Sequence, residues 1–403
     1  MSPAGPVSAA PRTGTTLALL AAGAGFSAAN LYYAQPLAEA MARDFHTTAS
    51  GVSSALVGTP LGYAAGMLLL VPLGDVRERR GVIVTTALAA TVALLGFAAA
   101  PTLVLLTAAS VLVGLGASVA QMIVPFAVGM APPDQRGRVV GTVMGGLLAG
   151  ILLSRTASGT LGAVIGWRLV FVSAAAAMAL LAAVLRVALP AVPPSAKLPY
   201  RALLGSLAAI ARREPVLRGR CVVGGLGFAS FSAFWSIIAF HLAHSAIGGS
   251  TTAGLLGVLG LTGIVIAPIS GRLAMRAPPA RVNLGALAII AAAFAVFAAI
   301  PTSLVAISFG VVLLDAGTQA NQLTNQTVIF GLAPDERSRI NAIYMVAYFL
   351  GGALGTAVAA QAFQHGGWPA VCGAGGCFAL LAMLPLRHPA TPDSRRCCRG
   401  SSR

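Results

Sequence analysis

The sequence predicts an all-α integral membrane protein, with twelve transmembrane helices in two pseudo-symmetric six-helix bundles. Three observations predict it. Of 403 residues, 57% are hydrophobic and only 9% charged, with a mean hydropathy of +0.86. A soluble domain carries about 25% charged residues, so this chain could not cover a water-facing surface. Apolar runs long enough for a bilayer recur from end to end. The two halves of the chain also repeat each other. Ordinary soluble enzymes, disordered chains and collagen-like chains are excluded.

A ~30 Å hydrocarbon core needs ~20 apolar residues at 1.5 Å per residue. The runs that satisfy this are Thr15–Met41, Val52–Leu73, Gly81–Ala100, Thr102–Met130, Val139–Gly162 and Trp167–Leu189 in the first half. The second half holds Cys221–Ala243, Thr252–Ala274, Val282–Ile300, Ser303–Leu332, Ile340–Phe363 and Pro369–Leu386. They are called spans 1 to 12 below. Alternating short segments, the mark of a barrel, are absent from the sequence. The expected organisation is a first bundle over 1–189, a cytoplasmic linker over 190–220, a second bundle over 221–386 and a tail over 387–403.

Lys and Arg set the orientation. With a cytoplasmic N-terminus, 23 of the 26 basic residues fall on one side, leaving Arg43, Arg155 and Arg168. Both termini are then cytoplasmic, and the protein is expected in a bacterial inner (plasma) membrane. The +16 net charge reflects this bias and an attraction to anionic lipid; it does not mark a nucleic-acid binder. Arg12 precedes a long apolar run without an A-x-A cleavage site, so span 1 is read as a retained helix. Cys221, Cys372, Cys377, Cys397 and Cys398 make no C-x-x-C pair and read as plain thiols. The sequon Asn325-Gln326-Thr327 lies inside a span and cannot be a glycosylation acceptor.

The repeat appears at a shift of 201. Gly116 meets Gly317, Gln121 meets Gln322, Arg136 meets Arg337 and Arg138 meets Arg339. Pro133-Asp134 meets Pro334-Asp335, Gly150 meets Gly351 and Gly166-Trp167 meets Gly367-Trp368. Two six-helix halves inserted in the same orientation form one of the transporter architectures, in which the halves rock around a central site.

The loop Val71-Pro-Leu-Gly-Asp75-Val-Arg-Glu-Arg79-Arg80 between spans 2 and 3 resembles the G-x-L-a-D-R-x-G-R-R loop of the major facilitator superfamily, and the resemblance extends over the whole chain. Asp75, Arg79 and Arg80 match; Val71, Val76 and Glu78 differ. The repeat copy keeps Gly271 and Arg276 but has Met275 in place of the acid. The resemblance implies a conformational latch of Asp75, Arg79, Arg80 and Arg136 that holds the halves together on the inside. The run Asn30-Leu-Tyr-Tyr-Ala-Gln-Pro36 is similar to the drug:proton antiporter branch, near its sugar and nucleoside efflux members.

Ionisable residues inside spans are costly and are candidates for function. Asp315 lies ~18 Å along span 10, near the midplane. It heads a polar stripe of Gln319, Gln322 and Gln326, spaced as one helical face, widened by Thr318 and Asn325. The resemblance implies that spans 1, 4, 7 and 10 line the central cavity. Desolvation penalises a carboxylate's charge, so a midplane acid suits proton exchange as the cavity opens to each side. Arg155 lies ~24 Å along span 5; it could pair with Asp315, bind an anionic group or snorkel outward. Glu39 is a candidate second proton site. Candidate substrate-binding residues are Asn30, Tyr33 and Gln35 in span 1, Gln121 in span 4 and Phe231 and Trp235 in span 7. Gln319, Gln322 and Gln326 in span 10 and Asn341 and Tyr344 in span 11 complete them. Such amide and aromatic walls suit a neutral, moderately polar organic solute.

Two glycine series, Gly58/Gly62/Gly66 in span 2 and Gly254/Gly257/Gly260/Gly263 in span 8, read as sliding seams between the halves. Pro36, Pro60, Pro125 and Pro268 are expected to bend their helices. No G-x-x-x-x-G-K-[ST], H-E-x-x-H or G-x-S-x-G occurs, and the only lysine is Lys197. No cofactor or metal is expected, and no enzyme. The reading is a monomeric secondary transporter that exports a small solute by proton antiport. The alternatives are a proton-coupled importer or uniporter, or a membrane scaffold or sensor on the same fold.

Overall fold

The computed structural model describes residues 14–132, 134–192, 199–243, 250–261, 277–333 and 336–387, the side chains of residues 75, 250, 260 and 261 excepted. Outside the described residues lie Arg12, Pro133, Lys197, Gly263, Pro268, Gly271, Met275, Arg276, Pro334, Asp335, Cys397 and Cys398. Every described element is helical. Ten stretches are long and apolar enough to cross a membrane among the described residues. Spans 11 and 12 count as one of these, Arg337–Leu386, since only a kink at the non-helical Gly367 separates them. Span 8 is described only as Ser250–Leu256 and a short 3-10 turn, Gly257–Leu261. Large side chains such as Val104, 79% exposed, stand on the outer surface, as expected of helices that meet lipid.

Proline places the breaks in spans 1 and 2. Span 1 is two helices, Thr15–Ala29 and Ala34–Asp44. Pro36 has no N–H for an i−4 carbonyl, and its ring crowds the turn before it, which is where the break falls. Span 2 likewise breaks at Val57, three residues before Pro60, into Ala49–Leu56 and Gly58–Val76. Span 4 breaks at Ser118 into Leu103–Ala117 and Val119–Met130, with Pro125 inside the second piece. Spans 5 and 6 meet at Gly166, φ 81°, and spans 11 and 12 at Gly367, φ 62°. These values need glycine, and the repeat put both there.

The halves are built alike. A Cβ on Gly25 would lie 2.6 Å from the Gly146 carbonyl, and one on Gly150 would strike the Gly25 backbone. Spans 1 and 5 therefore cross backbone to backbone. In the second half Gly351 meets the Gly225 backbone in the same way, joining spans 7 and 11. Gly116 sits on Ala90 of span 3, and its repeat partner Gly317 on Ala286 and Ile290 of span 9. Trp167 meets Phe97 at 6.2 Å, and Trp368 meets Phe297 at 6.2 Å.

One expectation is corrected here. Gly58 and Gly66 face Thr107 and Leu115 of span 4, and Gly62 faces Val111 of the same span. This series packs spans 2 and 4 within one half and is not a seam between halves. Span 4 offers a matching gap at Gly114, against Thr59, which lets the two backbones close. Gly254 and Gly257 of span 8 do sit between halves, against Gly159 and Arg155 of span 5.

Basic residues Arg79, Arg80, Arg136, Arg337 and Arg339 mark one end of the bundle, called the basic end. Toward the opposite end the halves are tied together. Ser50 donates to Gln364 at 2.6 Å, and Thr156 donates to the Gly254 carbonyl at 2.9 Å. Nearer the basic end, Tyr63 packs on Phe349 with ring centroids 4.3 Å apart. Among its described residues the expected linker holds an amphipathic helix, Tyr200–Arg213, which buries Leu203, Leu207 and Ile210. Span 7 then starts at Pro215, earlier than expected. The linker helix touches both halves: Tyr200 donates to the Leu69 carbonyl at 2.8 Å, and Arg213 donates to Glu336 at 2.5 Å.

Candidate functional site

Two opposite charges lie buried between the halves. Arg155 of span 5 is 1% exposed and Asp315 of span 10 is 5% exposed. A charge in so dry a place must be paired, hydrogen-bonded or waiting for a partner. Arg155 is held on three sides. Its Nε donates to Gln35 at 2.8 Å. Its guanidinium lies over the rings of Trp235, Tyr32 and Phe231, at 4.2, 4.6 and 5.3 Å from their centroids. Aromatic faces are negative and stabilise a cation above them. They do nothing for N–H groups in the guanidinium plane. Among the described residues Arg155 Nη2 has no hydrogen-bond partner, nor has Asp315 Oδ1 or Trp235 Nε1.

Arg155 and Asp315 make no ion pair within 4 Å, although each feels the other's charge. The direct pairing that sequence left open is therefore not what holds either residue. Trp235 borders the Asp315 carboxylate on one side and carries the guanidinium on the other. Tyr32 and Tyr348 are the nearby phenols.

Beside this group a cavity of about 50 Å³ separates the halves. Tyr32, Gln35 and Thr59 line it from the first half, and Phe228, Ser232, Ser236, Phe349 and Thr356 from the second. Water needs ~10–15 Å³, so the cavity admits a few waters; an organic solute needs the halves to part.

The other predicted residues sort by position. Gln35, Phe231 and Trp235 meet at Arg155. Asn30 is buried nearby in the span 1 break, and its Nδ2 has no partner among the described residues. Tyr33 turns away and meets Phe171 of span 6 edge-on at 6.5 Å. Its neighbour Tyr32 faces the arginine instead. Tyr32 was missed; it lies in the turn between Ala29 and Ala34, where helical spacing gives no signal. The hydroxyls of Ser232 and Ser236 were missed too, although they flank Trp235. Gln121 is half-buried beside Tyr63.

Span 10 splits its polar residues between two faces. Asn321 and Asn325 are fully buried within the second half. Arg220 donates to Asn283 Oδ1 at 2.7 Å and to Asn325 Oδ1 at 3.3 Å, and Asn283 donates to Asn321 Oδ1 at 2.7 Å. That network ties spans 7, 9 and 10. Gln322 and Gln326 point instead toward span 11, where Tyr348 donates to Gln322 at 3.3 Å and Gln326 donates to Asn341 at 3.4 Å. Gln319 is half-buried. Tyr344 is buried against Gly224 near the asparagine network, away from Arg155.

Glu39 lies apart from the central group. It pairs with Arg43 at 2.5 Å beside a cavity at the end opposite the basic one. At the basic end a second cavity, about 480 Å³, is lined by Gly74, Arg79, Pro125 and Arg136 of the first half and Ser338 of the second. Arg79 donates to the Gly74 carbonyl at 3.2 Å and Arg136 to that of Ala131 at 3.4 Å. Arg80 donates to the Leu189 carbonyl at 3.2 Å. The Asp75 side chain lies outside the described residues. Among the described residues no cluster of His, Cys, Asp and Glu could hold a metal ion.

Comparison with known proteins agrees with this architecture. The chain is 41% identical over 375 residues to the Escherichia coli O157:H7 protein named Uncharacterized transporter YgaY, across 91% of this chain and 94% of that one. It is 35% identical over 379 residues to a Streptomyces coelicolor protein named as a transporter, SCO4007, across 94% of this chain and 87% of that one. Its fold superposes on the nucleoside transporter NupG with a TM-score of 0.76 at 14% identity, covering 92% and 99% of the two chains. A bacterial homologue of the human lysosomal transporter Spinster, inward-facing and occupied, gives 0.72 at 16%, covering 93% and 96%. At such identities the likeness is one of fold alone. The family model described as Major Facilitator Superfamily matches residues 17–355. This chain belongs to the Major Facilitator Superfamily and is a multi-pass membrane transporter of that type.

Proposed function

We propose that the protein exports a small organic solute across a bacterial inner membrane by proton antiport, its halves rocking to give alternating access. One observation carries this reading. Each half contributes one buried charge to a shared centre, and the two do not neutralise each other by contact. Packing alone gives a membrane scaffold no reason to bury two such groups, whereas a transporter has one. The likeness of the Asn30–Pro36 run to drug:proton antiporters supports export. The basic end is the cytoplasmic one by the positive-inside rule.

Asp315 is the proton carrier in this reading. Arg155, Tyr32, Tyr348 and Trp235 surround it, so its charge state is felt by residues of both halves. Arg155, Gln35, Phe231 and Trp235 hold the solute, with Asn30 and Gln121 in reach of its path. Gln319, Gln322, Gln326 and Asn341 line the way to the basic end. There Arg79 and Arg136 flank the cavity of about 480 Å³ and form the latch with Arg80 and Asp75.

Everted vesicles test the reading directly. The vesicles are energised to hold an acid interior reported by acridine orange, and a panel of organic solutes is then added. At least one solute is expected to release protons and recover fluorescence in wild type. Asp315→Asn is expected to reduce that response at least tenfold. Solute flux indifferent to both an uncoupler and Asp315→Asn would make the protein a uniporter.

A further inference from the structure

The central site presents two buried groups of opposite charge with polar atoms turned to the interface. On one side stands a guanidinium whose Nε is used by Gln35 and whose faces are covered by three rings, leaving Nη2 unpartnered among the described residues. A guanidinium with an open edge matches a carboxylate, which it binds through parallel N–H···O contacts. On the other side stands a carboxylate with Oδ1 unpartnered among the described residues, which matches an ammonium. Trp235 lies between them, its indole N–H on the Asp315 side and its ring under the guanidinium. Both charged groups are more than nine-tenths buried.

Charge decides among ligands. An anion on Arg155 would place its charge beside Asp315 in a medium that screens little. A cation on Asp315 would face Arg155 in the same way. A neutral solute would leave both groups uncompensated. With Asp315 ionised, only a ligand that carries both charges satisfies both and adds none. We infer that the central site binds a small zwitterion of the amino-acid type, its carboxylate on the open edge of Arg155 and its ammonium on Asp315. Ser232, Ser236, Phe228 and Phe349 offer hydroxyl and aromatic contacts to its side chain. Ammonium binding requires an ionised Asp315, so the solute and the proton compete for one carboxylate. Binding to the protonated site releases one proton.

This inference rests on the transport reading above for the site's location, but its test needs no flux. Purified protein in detergent is followed by its thermal midpoint and tryptophan fluorescence. The probes are leucine, threonine and phenylalanine, with leucinol lacking the carboxylate and N-acetyl-leucine lacking the ammonium. At least one zwitterion should bind, and if leucine does, leucinol and N-acetyl-leucine should each bind at least tenfold more weakly. Threonine and phenylalanine are compared with their own amino alcohols and N-acetyl acids in the same way. Asp315→Asn should erase the preference over the N-acetyl acid, and Arg155→Gln the preference over the amino alcohol. The wild-type series stands even if a variant fails to fold. No binding by any of the three zwitterions overturns the inference. So does an N-acetyl acid or amino alcohol that binds as well as its parent. Zwitterion binding without proton-coupled flux would instead sink the antiport reading and leave the ligand class standing.

Discussion

The two halves are most alike where they carry load and least alike where they meet. Gly150 on Gly25 and Gly351 on Gly225 are the same crossing made twice. Trp167 and Trp368 close the same turn after Gly166 and Gly367. At the centre the correspondence fails. A shift of 201 carries Arg155 onto Thr356 and Asp315 back onto Gly114. Gly114 is sealed against Thr59 of span 2, whereas Asp315 looks into the interface. The repeat therefore supplies a scaffold with two-fold order, and the chemistry sits at the positions that depart from it. A symmetric centre would have carried two like charges or none.

The comparison can be broken first at the scaffold. Gly150→Leu and Gly351→Leu each push a side chain into a facing backbone. The cost should exceed the ~1–3 kcal/mol of ordinary overpacking, because a backbone cannot swing aside. Both variants should lose most of the monodisperse peak in fluorescence-detected size exclusion, and to similar extents. If one half tolerates the change and the other does not, the two crossings are not mechanically equivalent.

A medium effect lies in the asparagine network, which exists in one half only. Asn283 corresponds to Val82, an apolar core residue of the first half. Asn283→Val gives the second half its partner's residue and strips Arg220 of its shorter hydrogen bond. A loss of about 1–3 kcal/mol follows from the unsatisfied partner, read as a lower thermal midpoint. An unchanged midpoint would mean that the network is dispensable and the asymmetry decorative.

The smallest effect concerns the closed end. Ser50→Ala removes the 2.6 Å hydrogen bond to Gln364 that ties the halves. At ~0.5–1.5 kcal/mol, the open population at that end should rise by up to about tenfold. Spin labels at Thr47 and His365 would show a longer distance gaining weight. An unchanged distribution would place the tie elsewhere, with Thr156 and Gly254 next in line.

What sequence made legible follows from which signals are local. Charges in apolar runs stand out, so Asp315 and Arg155 were visible. The 201-residue repeat paired Gly166 with Gly367, whose positive φ only the structure shows. Three things were hidden. Tyr33 was taken where Tyr32 faces the site, because the helix breaks between Ala29 and Ala34 and its phase is lost across the break. The glycines of span 2 showed a smooth face but not its partner, since periodicity names a face and never a neighbour. Span 10 showed one broad polar stripe. Only packing reveals that Asn321 and Asn325 serve one half internally while Asp315 serves the interface.

The linker helix has a consequence for the amplitude of any opening. Its first residue is tied to span 2 through Tyr200, and its last to the start of span 11 through Arg213 and Glu336. A 14-residue helix measures ~21 Å at 1.5 Å per residue. It is a rod of fixed length pinned to both halves. In the proposed rocking motion the basic ends swing apart only to the reach of that rod, or by letting go of one pin. The width of the proposed gate is thereby set by a segment outside the candidate membrane spans.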